Sequence, residues 1–428
     1  MRPTCVRAGA ATAVAAALAP AAAASPAAVA SFAARSAPAG SVAVLRIAAG
    51  GPPLLHLQLL RAGAATAATR ADPRVDGVAV TPVRDVVDRG GRALRLRVRL
   101  GNWPSGVYVA RLVARDGTAS YAPLVVRPRT LGRSPVLVVE PTNTWQAYNV
   151  FAGDSWYEHP AVRAVDLARP YAGDGLPPHF RAYDLGFLRW LARSGFAADV
   201  VADDDLARIA SGRALRRLYR LVVFSGHEEY ATAHVYDLLA QFRDAGGNLA
   251  FLSADNLFYR VEVSGDRMLG RTRWRDLGRP EAALVGAEYA GWNERVFGNE
   301  PYRVVDAAAA PWLFAGTGLH DGSRFGRYGI EIDERTAASP PGTRVLAEIP
   351  GAFGPGTEAQ MTYYRRGRAQ VFDAGVLNFG STADWPVVSR IVDNLWRRLG
   401  GVEARRTAST RYRGVRSASA YIRPSPTR

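Results

Sequence analysis

Three short polar stretches, each placed after an apolar run, hold the residues of this chain that could do chemistry. Ser225-Gly226-His227-Glu228-Glu229-Tyr230 follows Leu221 to Phe224, and Asp255-Asn256 follows Leu249 to Leu252. Tyr148, and then Ser155-Trp156-Tyr157, come after Val136 to Val139. Oxygen donors dominate. The histidines form no close set and the one cysteine is Cys5, so a zinc site of the usual spacing is absent. HExxH is broken, because Ala231 stands where its second histidine would fall. There is no GxSxG elbow, no glycine-rich dinucleotide fingerprint and no Walker loop. What remains is ligation by carboxylate and phenolate, the donors that a hard cation such as Fe(III) prefers. Such an ion depresses tyrosine pKa values, polarises a carbonyl and acidifies water. Each residue also has a plainer use: tyrosines pack cores, His227 could cap a helix, and Glu229 could pair with an arginine. The combination of His227 and Glu229 in one strand-end turn is the least ordinary feature, since such loops carry function.

The elements that must position these residues read as an α/β sheet. From Arg217 to Arg260 the pattern is a buried strand, a polar tip, a helix to Phe242 closed by Gly246-Gly247, and a second strand. That is a crossover unit of a mostly parallel sheet, whose ligand crevice lies beyond the carboxyl ends of the strands. Val136 to Val139 and Phe196 to Val201 are expected to be further strands, and Asp184 to Ala192 a helix ended by Gly195. Gly375 to Phe379 is expected as the last core strand, followed by a helix over Trp385 to Leu399. Asp203-Asp204-Asp205 reads as a cap in a solvated turn, because Leu206 and Ile209 continue a helical stripe. Residues 262–345 read as an elaboration beside the sheet, in which Glu331 and Asp333 alternate with isoleucines. Upstream, Leu94, Leu96, Val98 and Leu100 alternate with arginines. Runs of that kind over 33–130 predict a small β-sandwich, with Val107, Val109 and Leu112 in its core. His56 and Trp103 are expected to serve packing there.

The net charge of +16 suggests a nucleic-acid binder, but all 54 basic residues are scattered arginines, so no nucleic-acid partner is expected. Attraction to an acidic envelope or an anionic ligand stays open. Arg2 and Arg7, the apolar run Ala8 to Ala23 and the small residues after it predict a signal peptide over 1–32. A secreted or extracytoplasmic bacterial protein follows, with no integral membrane segment after cleavage. Its removal would take Cys5 with it. The Arg- and Ser-rich tail, 403–428, is expected to be disordered.

The strings TNTWQAYN, SWY, GHEEY, FRDAGGNLAFLSADN and GIEID, with NWPSGVYVARL upstream, resemble the N,N-dimethylformamidase large (beta) subunit-like family. The resemblance runs from about Ser41 to Leu399 and takes in the C-terminal catalytic region with its preceding small β-sandwich. It implies an Ig-like sandwich before a flavodoxin-like or class I glutamine amidotransferase-like sheet over 131–402. It also implies an amidohydrolase acting on a small-molecule amide or related C–N bond, with a mononuclear iron held by two tyrosines and one glutamate. Carried over, Tyr148, Tyr157 and Glu229 would hold Fe(III) or another hard cation. His227, Glu331 and Asn256 would be catalytic or would support catalysis. The loop between the two tyrosines is shorter here than in the family. The family enzyme assembles with a small partner subunit. Nothing in this chain shows one, and a homo-oligomer is left open. The competing reading is a non-catalytic exported carbohydrate- or peptide-binding protein, which the sandwich and the tryptophans would suit.

Overall fold

The computed structural model describes residues 27–404 apart from 89, 160 and 294–299. Over 27–127 the chain makes two sheets that share one apolar cluster. Every strand expected from alternation is present: Val42–Ile47, Leu54–Arg61, Leu94–Arg99, Gly106–Val113 and Ala119–Arg127. Leu96 and Val98 are buried while Arg95, Arg97 and Arg99 face water, as a period of two requires. Trp103 stacks on Tyr108 with ring centroids 5.2 Å apart, and His56 Nδ1 lies 2.8 Å from Asp85 Oδ1 on the next strand. Both serve packing and pairing.

The leader expected over 1–32 lies outside the described residues as far as 26, and its last part is corrected. Ala30–Phe32 is a strand antiparallel to Val42–Ile47, with Ala27, Ala28, Ala30 and Phe32 buried. Three residues of alternation do not stand out from an alanine-rich background, which is why this strand was not expected. The tail from 405 onward lies outside the described residues.

The largest sheet has nine strands: β1 (Val136–Glu140), β2 (Asp199–Ala202), β3 (Leu221–Phe224), β4 (Asn248–Phe251), β5 (Glu300–Val304), β6 (Arg324–Tyr328), β7 (Arg344–Pro350), β8 (Glu358–Arg366) and β9 (Ala369–Asp373). Their order is β2-β1-β3-β4-β9-β8-β7-β5-β6. The first five run parallel, and the remaining pairings are antiparallel. The sheet is therefore mixed rather than mostly parallel. Residues 262–345 do not simply lie beside it, because β5 and β6 lie inside that span and β7 begins there. Short strands with irregular register, broken by β-bulges, hid this from periodicity.

β1 and β3 are buried on both faces. Helix α1 (Thr142–Tyr148) follows β1, and α2 (Leu185–Arg193) precedes β2. Helix α3 (Ala233–Asp244) crosses from β3 to β4. Thr232 caps it by accepting from Val235 N, and Val235, Leu238, Leu239 and Phe242 pack on one face of the sheet. Helices α2 and α4 (Pro386–Leu395) cover the other face. Asp203 to Asp205 begin a short helix, but Asp203 and Asp205 are buried rather than solvated. Asp203 accepts from the Thr142 hydroxyl and Asn143 N, which explains the burial. Residues 375–379 are not a strand. β9 ends at Asp373, and Gly375 at φ 67° would drive a Cβ into the Gln360 carbonyl, so the chain turns there. Among the described residues no helix is long and apolar enough to cross a membrane.

That turn crosses the carboxyl ends of β3 and β4 at Gly380, whose N–H donates to Leu252 O at 2.8 Å. A Cβ on Gly380 would overlap the Ser225 carbonyl oxygen. Gly380→Ala is expected to lower stability by about 2 to 3 kcal/mol, as overpacking does. Denaturant unfolding checks this, and a loss below about 0.5 kcal/mol would show that the turn yields freely.

Candidate functional site

Two strand ends and one strand of a separate pair deliver their polar residues to one place. The tip after β3 carries His227 and Glu229, and the tip after β4 carries Asp255. Glu331 comes from Ile330–Glu334, a strand paired antiparallel with Glu288–Asn293. His227 Nε2 lies 3.1 Å from Glu331 Oε2, 3.6 Å from Asp255 Oδ2 and 3.8 Å from Glu229 Oε2. Ligand atoms of His227, Asp255 and Glu331 all lie within 4.8 Å of one another, a spacing at which they could hold a metal ion.

Each loop is pinned from behind. Glu229 N donates to the Thr144 hydroxyl at 3.1 Å, tying the β3 tip to α1. Asp255 N donates to Asp333 Oδ1 at 2.8 Å, and Leu377 N to Glu331 O at 3.1 Å. Gly226 leaves room for the Asp184 carboxyl, which a Cβ at that position would crowd. The backbone is strained at three places here. His179, Asp255 and Ile330 have φ of 56°, 55° and 74°, a region that side chains avoid and β-branched ones most of all.

The electrostatics are those of carboxyls held away from water. Burial pushes Glu229 well above the ordinary carboxylate range, and Asp255 adds to it. Burial raises Asp255 to about 7. Burial works against protonation of His227, but Glu331, Asp255 and Glu229 outweigh it and hold the imidazole well above its usual pKa. Tyr148 is held high by burial, then by Glu229 and Glu331, so without a cation it stays a phenol. His227 Nε2, Glu229 Oε2, Asp255 Oδ1 and Glu331 Oε2 are buried and make no hydrogen bond of acceptable geometry. Four orphaned donor atoms in one spot are costly unless something polar joins them. An oxygen-rich set with one imidazole fits a hard cation.

Above this group opens a cavity of about 490 Å³. Tyr148, Tyr157, His179, Tyr183, Trp292 and Leu377 contribute its walls, and Glu331 and His227 lie at its polar end. Tyr157 stacks on Tyr148 at 5.1 Å between ring centroids and is half exposed at the mouth. The Tyr148 ring meets His227 edge-on at 5.4 Å. Of the residues singled out from sequence, Tyr148, Tyr157, His227, Glu229 and Glu331 are thus neighbours. Asn256 is buried beside them, but its amide donates to Ser253 O at 3.0 Å and to Asp373 Oδ1 at 3.3 Å. It is not among the cavity's lining residues.

The N,N-dimethylformamidase beta subunit-like C-terminal family matches residues 78–389. The chain belongs to that family. The N,N-dimethylformamidase beta subunit of Alcaligenes sp is 31% identical over 99 residues, which is 21% of this chain and 13% of that protein. Among solved structures, one described as the mmIFT52 N-terminal domain aligns over 50% of this chain and 88% of its own at 12% identity. Its TM-score of 0.31 is too low to argue from.

Asp255 was visible in sequence as a strand-end residue, but its neighbour Asn256 drew the functional role. Their difference lies in the backbone: the left-handed φ at Asp255 turns that one carboxyl toward His227, and no propensity announces it. His179 and Tyr183 come from one helical turn, Phe180–Tyr183 with His179 at its start, and Trp292 from the strand Glu288–Asn293; the i, i+4 spacing of the first two was not singled out from sequence.

Burial also raises Asp184, beside Gly226, from 3.8 to about 8. The folded state keeps this proton after the unfolded chain has lost it, so the contribution to stability is full below pH 4. It falls progressively until the pH passes about 8. Asp184→Asn should therefore raise the unfolding temperature at pH 8 relative to wild type and leave it nearly unchanged at pH 4. Thermal melts across that range read the difference. An equal effect at both ends would mean that Asp184 is charged in the fold.

Proposed function

We propose that this chain is a metal-dependent hydrolase of small uncharged amides or related C–N bonds. The observation that carries the reading is the set of buried ligand atoms on His227, Glu229, Asp255 and Glu331 without a well-aligned hydrogen bond, of which His227 and Glu331 line the cavity and Glu229 and Asp255 lie behind them. Family membership supports the reaction class, and the relative's printed name supports an amide as substrate. The matched stretch is a small part of that relative, so the activity of the whole enzyme is carried here only as a proposal. With this reading go a β-sandwich over 33–130, an amidotransferase-like, flavodoxin-like unit over 131–402 and a signal peptide ahead of them that exports the protein.

Tyr148, Tyr157 and Glu229 would hold Fe(III), the ion that the resemblance implies. A bound hard cation polarises an amide carbonyl and lowers the pKa of water. The chain's own residues do the rest. Glu331 and Asp255 keep the His227 imidazolium charged, so His227 can give a proton from Nε2 to the leaving amine nitrogen. Asn256 steadies the β4 tip through Ser253 O. The stacked tyrosines, Leu377 and Trp292 shield the reacting end from bulk water. A second ligand set, His227 with Asp255 and Glu331, is favoured by its compactness. In that case Glu229 would be the base.

Elemental analysis separates the two sets. If the oxygen-only set is right, Glu229→Ala and Tyr148→Phe should each lose stoichiometric metal, and Asp255→Asn should keep it. The reverse pattern selects the His227 set. Well-folded wild type that holds no metal after growth in iron-, manganese- or zinc-supplemented medium would remove the proposal.

The cavity also restricts the substrate. Its lining residues include no arginine, although the chain has 54 basic residues, and its charged side chains other than histidine are Glu158 and Glu331. A substrate carboxylate held away from the reacting end, where His227 and the metal would lie, would be desolvated with no arginine to pair with and Glu158 as the nearest charge of the lining. Acetanilide should therefore be hydrolysed at least about tenfold faster, in kcat/KM, than 4-acetamidobenzoate. Equal rates would show that the acidic lining does not select.

A further inference from the structure

The opposite end of the large sheet carries the opposite charge. A cleft of about 350 Å³ lies at the amino ends of β3, β4 and β9 and is lined by Arg216, Arg220, Arg368 and Arg398, with no carboxylate among its lining residues. Many other arginines of this chain, Arg35, Arg127, Arg189 and Arg275 among them, are paired with aspartate or glutamate. These four are not. Arg216 is held by neutral acceptors, donating to Gly246 O at 3.1 Å and Tyr219 O at 3.3 Å. Arg398 Nε donates to Gln370 Oε1 at 3.3 Å. Arg220 and Arg368 make no hydrogen bond or ion pair to any side chain among the described residues, and both face solvent.

The floor of the cleft is rigid. Asn248, the first residue of β4, donates from its amide to Leu399 O at 2.8 Å and accepts from Gln370 N at 2.8 Å. This fixes the amino end of β4 to the turn Trp396–Gly400 that continues α4 and carries Arg398. Four guanidinium groups are thus gathered at a braced concavity with no anion of the protein's own to offset their repulsion. The tail does not supply one, because residues 405–428 contain seven arginines and no aspartate or glutamate.

We propose that this cleft binds a phosphate-type oxyanion. Guanidinium forks match its tetrahedral oxygens, and the arginines' unused N–H donors supply charge-assisted hydrogen bonds. The site is independent of the proposed amide chemistry, from which the whole length of strands β3 and β4 separates it. The ligand's source is either a free phosphate ester or polyphosphate, or the headgroup of an anionic lipid.

The test uses the full chain and inorganic pyrophosphate, titrated by calorimetry at constant ionic strength. Arg220→Gln/Arg368→Gln removes two guanidiniums that support no internal bond. Arg95→Gln/Arg97→Gln removes the same charge from an exposed strand of the other sheets. The first variant should weaken pyrophosphate binding on the order of tenfold or more, and the second should leave it unchanged. Flotation with phosphatidylglycerol or phosphatidylcholine vesicles separates the sources. Phosphatidylglycerol binding lost in the first variant only would assign the headgroup, and pyrophosphate binding alone a soluble ligand. The proposal is overturned if wild type binds neither probe, or if both variants lose binding equally.

Discussion

The rest of this structure depends on keeping Glu229, Asp255 and Glu331 out of water around a single imidazole. Moving an ion into a protein interior costs several kcal/mol even after relaxation, and like charges at such separations add to it. Three things can offset that cost: protons on the carboxyls, the positive charge of His227, and a cation. The elevated affinity of Glu229 and Asp255 for protons shows the first at work, and the raised pKa of His227 shows the second. The contacts within the cluster still leave His227 Nε2, Glu229 Oε2, Asp255 Oδ1 and Glu331 Oε2 without a well-aligned hydrogen bond. An arrangement so expensive stays in place only if the surrounding fold holds it there.

The holding is done by backbone. Each acidic residue lies in or beside a segment whose own N–H or carbonyl is bonded to a different element: Glu229 to α1, Asp255 to the strand carrying Asp333, and Glu331 to the turn after β9. The bonds run in a ring around the cluster, so no one loop can retreat without pulling on the next. The ring also accounts for the strain at Ile330 and Asp255. A left-handed φ at a β-branched residue is tolerated where neighbours on both sides are fixed, and Leu377 and Asp333 fix them. A second group of carboxyls, Glu140, Asp203 and Glu228, lies beneath the tip, and burial is the first cause that raises all three above the ordinary carboxylate range. Through Asp203 it anchors the amino end of α1, the helix that ends at Tyr148.

Periodicity made the scaffold legible wherever a strand was long or buried on both faces. β3, α3 and β4 stand almost where apolar runs and glycines put them, because burial on two faces leaves little choice of residue. The antiparallel half of the sheet was not legible. β5 and β6 are short, bulged and aromatic, and Tyr302 and Tyr328 are fully buried there although tyrosine usually reads as half-wet. β9 was misplaced by a few residues for a local reason: Gly375 to Phe379 is apolar because it packs under the cavity, not because it is a strand. The site followed the same division. His227 and Glu229 were visible because they interrupt an otherwise regular crossover, and Glu331 because it breaks an isoleucine pattern. The wall residues His179, Tyr183 and Trp292 were not found that way: His179 and Tyr183 are neighbours on one helical turn, but what brings that turn and Trp292 to the cavity is tertiary packing.

A parallel βα arrangement gives a sheet two chemically different ends, and this chain makes the difference electrostatic. Carboxyls gather beyond the carboxyl ends of β3 and β4, and guanidiniums beyond the amino ends of the same strands. The separation is not a consequence of composition. With 54 arginines spread along 428 residues, an acidic cavity with no arginine in its lining requires that every loop reaching it be free of arginine at the contact positions. A guanidinium there would satisfy the orphaned carboxylates at once, and at less cost than strained backbone and shared protons. Its exclusion means that the cluster's unsatisfied state is maintained against the chain's own composition. A purely structural carboxylate group would have no need of that, whereas one that must stay open to an exchangeable cation or a substrate proton would.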